Sequence, residues 1–108
     1  MSARGDSGAN LLRGEAEFSV AGEAFVLRPS FAALVAAESE LGPLFALVER
    51  AADGRLGLGE LAALFWHCVQ GRPEGLTREA VGEAVVAQGL ASVTPALRVL
   101  LGQILQGR

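Results

Sequence analysis

The chain has no Lys and no Tyr, and its 108 residues include only one Cys, one His, one Met and one Trp. Each shortage removes a class of function. A lone Cys68 excludes an internal disulfide and any metal site built from several thiolates. One His and no Tyr leave few groups that can move a proton near neutral pH. All nine basic residues are Arg, and twelve acidic residues outnumber them, for a net charge of −3. The arginines are scattered; the nearest approach to a cluster is Arg72 with Arg78, with Glu74 between them and Glu79 directly after. A nucleic-acid partner lacks its electrostatic footprint here, and no polybasic arm points to an anionic membrane. The opening MSARGDSGAN carries no apolar core of a signal peptide. No uninterrupted apolar run reaches the roughly 18 residues of a membrane span. The expectation is a cytoplasmic protein.

Hydrophobic residues make up 51% of the chain, enough to build one core in a single domain. Ala, Gly, Arg, Leu and Val dominate, which reflects GC-rich coding rather than mechanism. Residues 1–11 are small and polar without periodicity and read as a disordered lead-in; residues 12–108 read as one domain. Within the lead-in, Arg4-Gly5-Asp6 matches a short integrin-binding tripeptide. Without a secretion signal, chance is its reading.

From Ala16 the pattern alternates: Ala16, Phe18 and Val20 point one way, Glu17 and Ser19 the other. A second run spans Glu23 to Arg28, after Ala21-Gly22. Two hairpin registers compete. A two-residue turn at Ala21-Gly22 pairs Phe18 with Phe25 and gives one mostly apolar face. A three-residue turn with Gly22 at positive φ pairs Phe18 with Ala24 and avoids Ala at the first site of a primed turn. Apolar matching favours the first and turn chemistry the second; the first is taken as the expectation.

Pro29 cannot donate to a ladder and holds Arg28 extended, so the strand ends there and Ser30 can cap a helix. Phe31, Leu34, Val35 and Leu41 give that helix an apolar face, and Gly42-Pro43 closes it. Pro43 opens a second helix with the stripe Leu44, Leu47, Val48 and Ala51, ended by Gly54. A third runs from about Leu58 to Gln70, with Leu58, Leu61, Phe65, Cys68 and Val69 on one face. Thr77 caps a fourth that Gly89 stops, and Thr94-Pro95 starts a fifth. The predicted fold class is α+β, mostly α: an N-terminal β-hairpin packed on four to five short helices. A two-stranded hairpin is marginal in water alone, so it packs on the helices or takes strands from another chain.

Four features invite a chemical reading. Asp53 to Leu61, DGRLGLGEL, resembles the second half of a calcium-binding EF-hand loop, with Glu60 as the bidentate carboxylate. The first half is deficient: Ala51 stands where a third ligand belongs, and Glu49 to Asp53 reads as helix. His67 and Cys68 are neighbours on a helix, so they diverge by about 100° and share no target. Trp66 beside Phe65 is either an exposed anchor or partly buried core. The glycines of residues 54–59 lack the Lys-Ser/Thr and the preceding strand of a phosphate loop. No catalytic residue, cofactor or metal ligand is expected.

The unit from Gly14 to Gly42 carries a resemblance. Gly14-Glu15-Ala16, then Phe18-Ser19-Val20-Ala21-Gly22-Glu23, then Phe25-Val26-Leu27-Arg28-Pro29-Ser30-Phe31 is similar to the small gene transfer agent family proteins. These belong with phage tail assembly chaperone-like proteins, and some family labels call them tail tube proteins. The likeness extends over about residues 13–95 and departs from the family at Ala21-Gly22, where Asp-Gly or Asn-Gly is common. It implies a non-enzymatic role in building a phage-like tail. The first expectation is a chaperone-like protein that binds the tape-measure or tail-tube protein, with homo-oligomerisation. The alternatives are a tube-like component retained in the particle and an unrelated helical binding module. The partner-binding expectation falls on the hairpin edges around Phe18, Val20, Phe25 and Val26, with Trp66.

Overall fold

The computed structural model describes residues 14–107; the expected lead-in at 1–11 lies outside them. Two strands, β1 (Ala16–Val20) and β2 (Glu23–Leu27), are followed by α1 (Phe31–Leu41), α2 (Leu44–Ala52), α3 (Leu58–Cys68), α4 (Arg78–Gln88) and α5 (Leu90–Gln106). The α+β, mostly α expectation holds.

The hairpin takes the two-residue register, with Phe18 opposite Phe25 and Val20 opposite Glu23. Ala21 (φ 52°) and Gly22 (φ 84°) are both left-handed, the signature of a type I′ turn. Apolar matching therefore outweighs the cost of placing Ala in a left-handed conformation, about 1–2 kcal/mol. That matching buries Ala16, Phe18, Val20, Phe25 and Leu27 together. The slipped register would turn one strand's apolar set to water.

The sheet is extended in one place. Leu27 bridges to Val69, with Arg28 N–H donating to Cys68 C=O (2.7 Å) and Gln70 N–H to Val26 C=O (2.8 Å). The chain after α3 thus leaves the helix at Cys68 and lies along the end of β2. The expected continuation of α3 to Gln70 is corrected: β2 has two outward backbone groups to satisfy, and residues 68–70 satisfy them.

Helix α3 is the centre of the core, with Leu61, Ala62, Ala63, Leu64, Phe65 and Cys68 all buried. The Phe18 ring meets Phe65 edge to face at 5.0 Å and 74°. Ser30 caps α1 by accepting Ala33 N–H, and Thr77 caps α4 by accepting Ala80 N–H, as expected. The buried face of α1 differs from expectation. Ala33 and Ala37 are buried, whereas Phe31 is 85% exposed and Val35 46% exposed. Small residues let α1 lie close to the core, which rotates the large ones outward. Leu58, expected on the apolar face of α3, is likewise exposed at its first turn.

Helix α5 begins at Leu90 rather than at Thr94-Pro95, and Pro95 lies inside it. Pro95 has no N–H for the carbonyl of Ala91, but Ala91 is exposed and water can serve it. Thr94 Oγ1 donates to Leu90 C=O (2.7 Å), reinforcing the first turn. Gly89 (φ 88°) alone separates α4 from α5, which turn by 119° across it. Gly14 (φ 73°) is pressed on α5: a Cβ there would come within 2.5 Å of Gln103 Cβ.

Replacing Ala21 by Asn, which tolerates the left-handed region, is expected to raise stability by about 0.5–1 kcal/mol. Chemical denaturation checks it, and a lowered midpoint would contradict the turn type. Phe18→Ala is expected to cost about 3–5 kcal/mol through the cavity it leaves against Phe65. A loss under about 1 kcal/mol would mean the ring is not buried there.

Candidate interaction surface

The partner-binding candidates divide by burial. Phe18, Val20 and Phe25 are buried in the chain's own core, and Val26 is half-buried on the outer face of β2. What the strands present outward is backbone and the side chains of Glu17, Ser19, Glu23 and Ala24. In this register the N–H and C=O groups of Glu17 and Ser19 point away from β2, along the free side of β1. Of these, the Ser19 carbonyl accepts Gln88 Nε2 at 2.6 Å. On the other side, residues 68–70 already occupy the end of β2.

Trp66 is half-buried beneath two guanidinium groups. Arg72 Cζ stands 4.1 Å above the ring centroid and Arg78 Cζ 6.0 Å from it. Arg72 also donates to the Trp66 carbonyl (2.9 Å). Glu40, at the end of α1, accepts from Arg78 and from His67 Nε2, the latter at 2.8 Å. Trp66 is thus one side of a polar lid joining the ends of α1 and α3 to the start of α4. The hydrogen bonds from Arg78 and then His67 hold the Glu40 carboxyl down at about 2.

The remaining chemical candidates are committed to structure. Glu60 accepts Gly57 N–H (2.9 Å) at the start of α3 and pairs with Arg50, and Asp53 pairs with Arg55. The loop is a capped helix–turn–helix in which the would-be calcium carboxylate already has its partners. Among the described residues, no group of three or more His, Cys, Asp or Glu is placed to hold a metal ion. Cys68 is buried and its thiol is pushed up to about 12 by loss of solvent, so it stays protonated and unreactive. His67 turns to Glu40 and Cys68 to the core, so the two do not meet. No single helix among the described residues is long and apolar enough to cross a membrane.

Sequence reasoning missed the largest exposed side chains. Phe31 was expected on the apolar face of its helix and is 85% exposed; Phe45 is 79% exposed. Phe45 borders a cleft of ≈ 220 Å³ with Glu38, Leu44, Val48, Ile104 and Leu105. Its signal was available: Phe45 falls off the Leu44, Leu47, Val48 stripe that turns α2 inward. For Phe31 the signal was the Ala33, Ala37 pair one turn apart.

The described residues thus commit most of their candidate chemical groups to internal pairs and leave Phe31 and Phe45 exposed. The chain belongs to the family described as phage tail tube protein, GTA-gp10, whose match runs over residues 13–107 and so takes in every element from the hairpin to α5. No curated protein and no solved structure matches the chain. The family places the protein among the structural proteins of phage and gene transfer agent tails, which associate with other tail proteins. It fits the expected tube-like component better than the expected chaperone.

Glu40 has a folded-state value of about 2 against an ordinary 4.5, so its contribution to stability is present above about pH 4.5 and is lost as pH falls towards 2. Urea midpoints measured across that window are expected to fall for the native protein and to fall less for Glu40→Gln. Parallel acid limbs in the two proteins would show that the lid adds nothing to stability.

Proposed function

We propose that the protein is a structural component of a phage-like tail, retained in the assembled particle, where it contacts tail-tube and tape-measure proteins and further copies of itself. The observation that carries this reading is the family match across the whole described fold. The chemistry of the chain agrees with it. A wall subunit needs a stable core and apolar or edge-strand surface, and no proton shuttle or bound ion. The core is supplied by α3 with the hairpin laid on it. The outer surface is supplied by Phe31 and Phe45 and by the side of β1 at Glu17, where a neighbouring strand can add.

A second reading, a tail-assembly chaperone that leaves before the particle is complete, draws on one observation. The open side of β1 is short, and it is the kind of edge that holds an extended segment of another chain transiently. The two readings differ in where the protein ends up.

Quantitative mass spectrometry of purified particles separates them. The structural reading expects the protein at a copy number comparable to that of other tail-wall subunits. Its absence from particles, with recovery in complex with tape-measure protein in the producing cell, would overturn that reading in favour of the chaperone.

A further inference from the structure

The outer edge of β2 is covered by the chain itself only in part. Residues 68–70 run antiparallel to its end, with Arg28 N–H donating to Cys68 C=O and Gln70 N–H to Val26 C=O. Gly71 (φ 63°) then turns the chain off that line. The alternation of an antiparallel ladder points the Ala24 N–H and C=O the same way as Val26 C=O, away from β1. Neither Ala24 group has a backbone partner among the described residues, and Ala24 is exposed. Farther along, residues 73–80 face the turn end of the hairpin across a cleft of ≈ 320 Å³. Val20, Glu23 and Phe25 border it on one side, and Pro73, Leu76 and Ala80 on the other.

We infer that this edge receives an extended segment of a different protein, one that carries an apolar residue followed two positions later by a basic one. The backbone sets the mode. The outward N–H and C=O of one edge residue bond both ways to a single residue of an added strand. The existing run sets the direction. A segment that takes up the line of residues 68–70 lies antiparallel to β2 and meets Phe25 before Glu23. Its residues opposite Phe25 and Glu23 share the face of those two side chains, which is the face of the cleft. The first of them meets Val20, Phe25, Pro73 and Leu76, so an apolar side chain fits it. The second meets the Glu23 carboxylate. The residue between them, opposite Ala24, turns to water and is free to vary.

Charge makes the second residue basic. Glu23, and Glu74 next to Pro73 on the far rim, form no ion pair among the described residues. The nearby arginines are taken: Arg72 lies on the Trp66 ring and Arg78 donates to Glu40. The rim is therefore negative, and it attracts a cation and repels an acidic segment. The inference goes beyond the tail-component reading and does not rest on it, because it concerns what one edge of the isolated protein binds.

The test uses the full chain and three short synthetic peptides with blocked ends. Thr-Leu-Thr-Arg-Thr is the fitting probe, Thr-Arg-Thr-Leu-Thr reverses its order, and Thr-Leu-Thr-Glu-Thr reverses its charge. In amide NMR titrations at millimolar peptide, the fitting probe is expected to shift the Ala24 and Val26 amide signals. It is expected to bind about fivefold more tightly than either control, the scale of one charge pair at a surface. Glu23→Arg is expected to reverse the preference, so that the Glu peptide binds better than the Arg peptide. Ala24→Pro removes the outward N–H without touching the β1–β2 ladder, and is expected to weaken the fitting probe about tenfold. Circular dichroism checks that both variants fold; should the proline variant not fold, Glu23→Arg, at an exposed strand end, decides the matter. No binding of the fitting probe, equal binding of the three peptides, shifts that bypass β2, or an unchanged preference in Glu23→Arg would overturn the inference. So would native protein that self-associates in sedimentation velocity and loses this in Ala24→Pro, since a second copy would then hold the edge.

Discussion

The edge-to-face contact of Phe18 with Phe65 joins the two parts of this molecule. A hairpin of two five-residue strands cannot hold itself together in water. Here its apolar face is laid on α3, and the 5.0 Å ring contact lies within one core cluster that draws on both strands and on α1 to α5. The register follows from this constraint. Only the pairing of Phe18 with Phe25 sends Ala16, Phe18, Val20, Phe25 and Leu27 to the same side. Ala21 is held in a conformation it does not prefer as a result, so strain at an exposed turn is the local cost of a global fit.

Features governed by neighbours in the chain were legible beforehand. Ser30 and Thr77 were identifiable as caps because a hydroxyl before a helix has one obvious use. The stops at Gly42 and Gly89 followed from glycine's tolerance of positive φ. Features governed by distant packing were not legible. Phe31 sits on an apolar row of α1, and periodicity alone places such a row inward; the choice of Ala33 and Ala37 instead depends on how closely α1 approaches the core. The pairing of residues 68–70 with the end of β2 joins segments about forty residues apart, and no local pattern announces it. The early start of α5 was hidden because Pro95 usually marks a helix opening, and here the exposed turn before it tolerates the missing N–H. Of the partner-binding candidates, the hairpin was correctly located but its large side chains proved to be core. The exposed aromatics lie on helices that had looked ordinary.

The polar lid and the apolar surfaces divide the labour of the exterior. Glu40, His67, Arg78, Arg72 and Trp66 satisfy one another around the ends of three helices, and their charges are largely used up within the molecule. Glu60 with Arg50 does the same at the turn between α2 and α3. Phe31, Phe45, Leu58 and Val86 have no such partners, and Glu79 and Glu83, beside Leu58 and Val86, are in no ion pair among the described residues. A surface in which one region is internally balanced and another is not is oriented: it has a side that tolerates water and sides that gain by losing it.

The close approach of Gly14 to Gln103 bears on the order of the elements themselves. The first described residue touches the last helix near its end, so the described fold closes almost into a loop. The packing around α3 then has no privileged starting point. The same core could be spelled by a chain that begins at one of the exposed turns, such as that at Gly54, and runs through a short join between α5 and β1. In such a molecule the sequence order of hairpin and helices is a matter of ancestry, while their arrangement in space is a matter of physics.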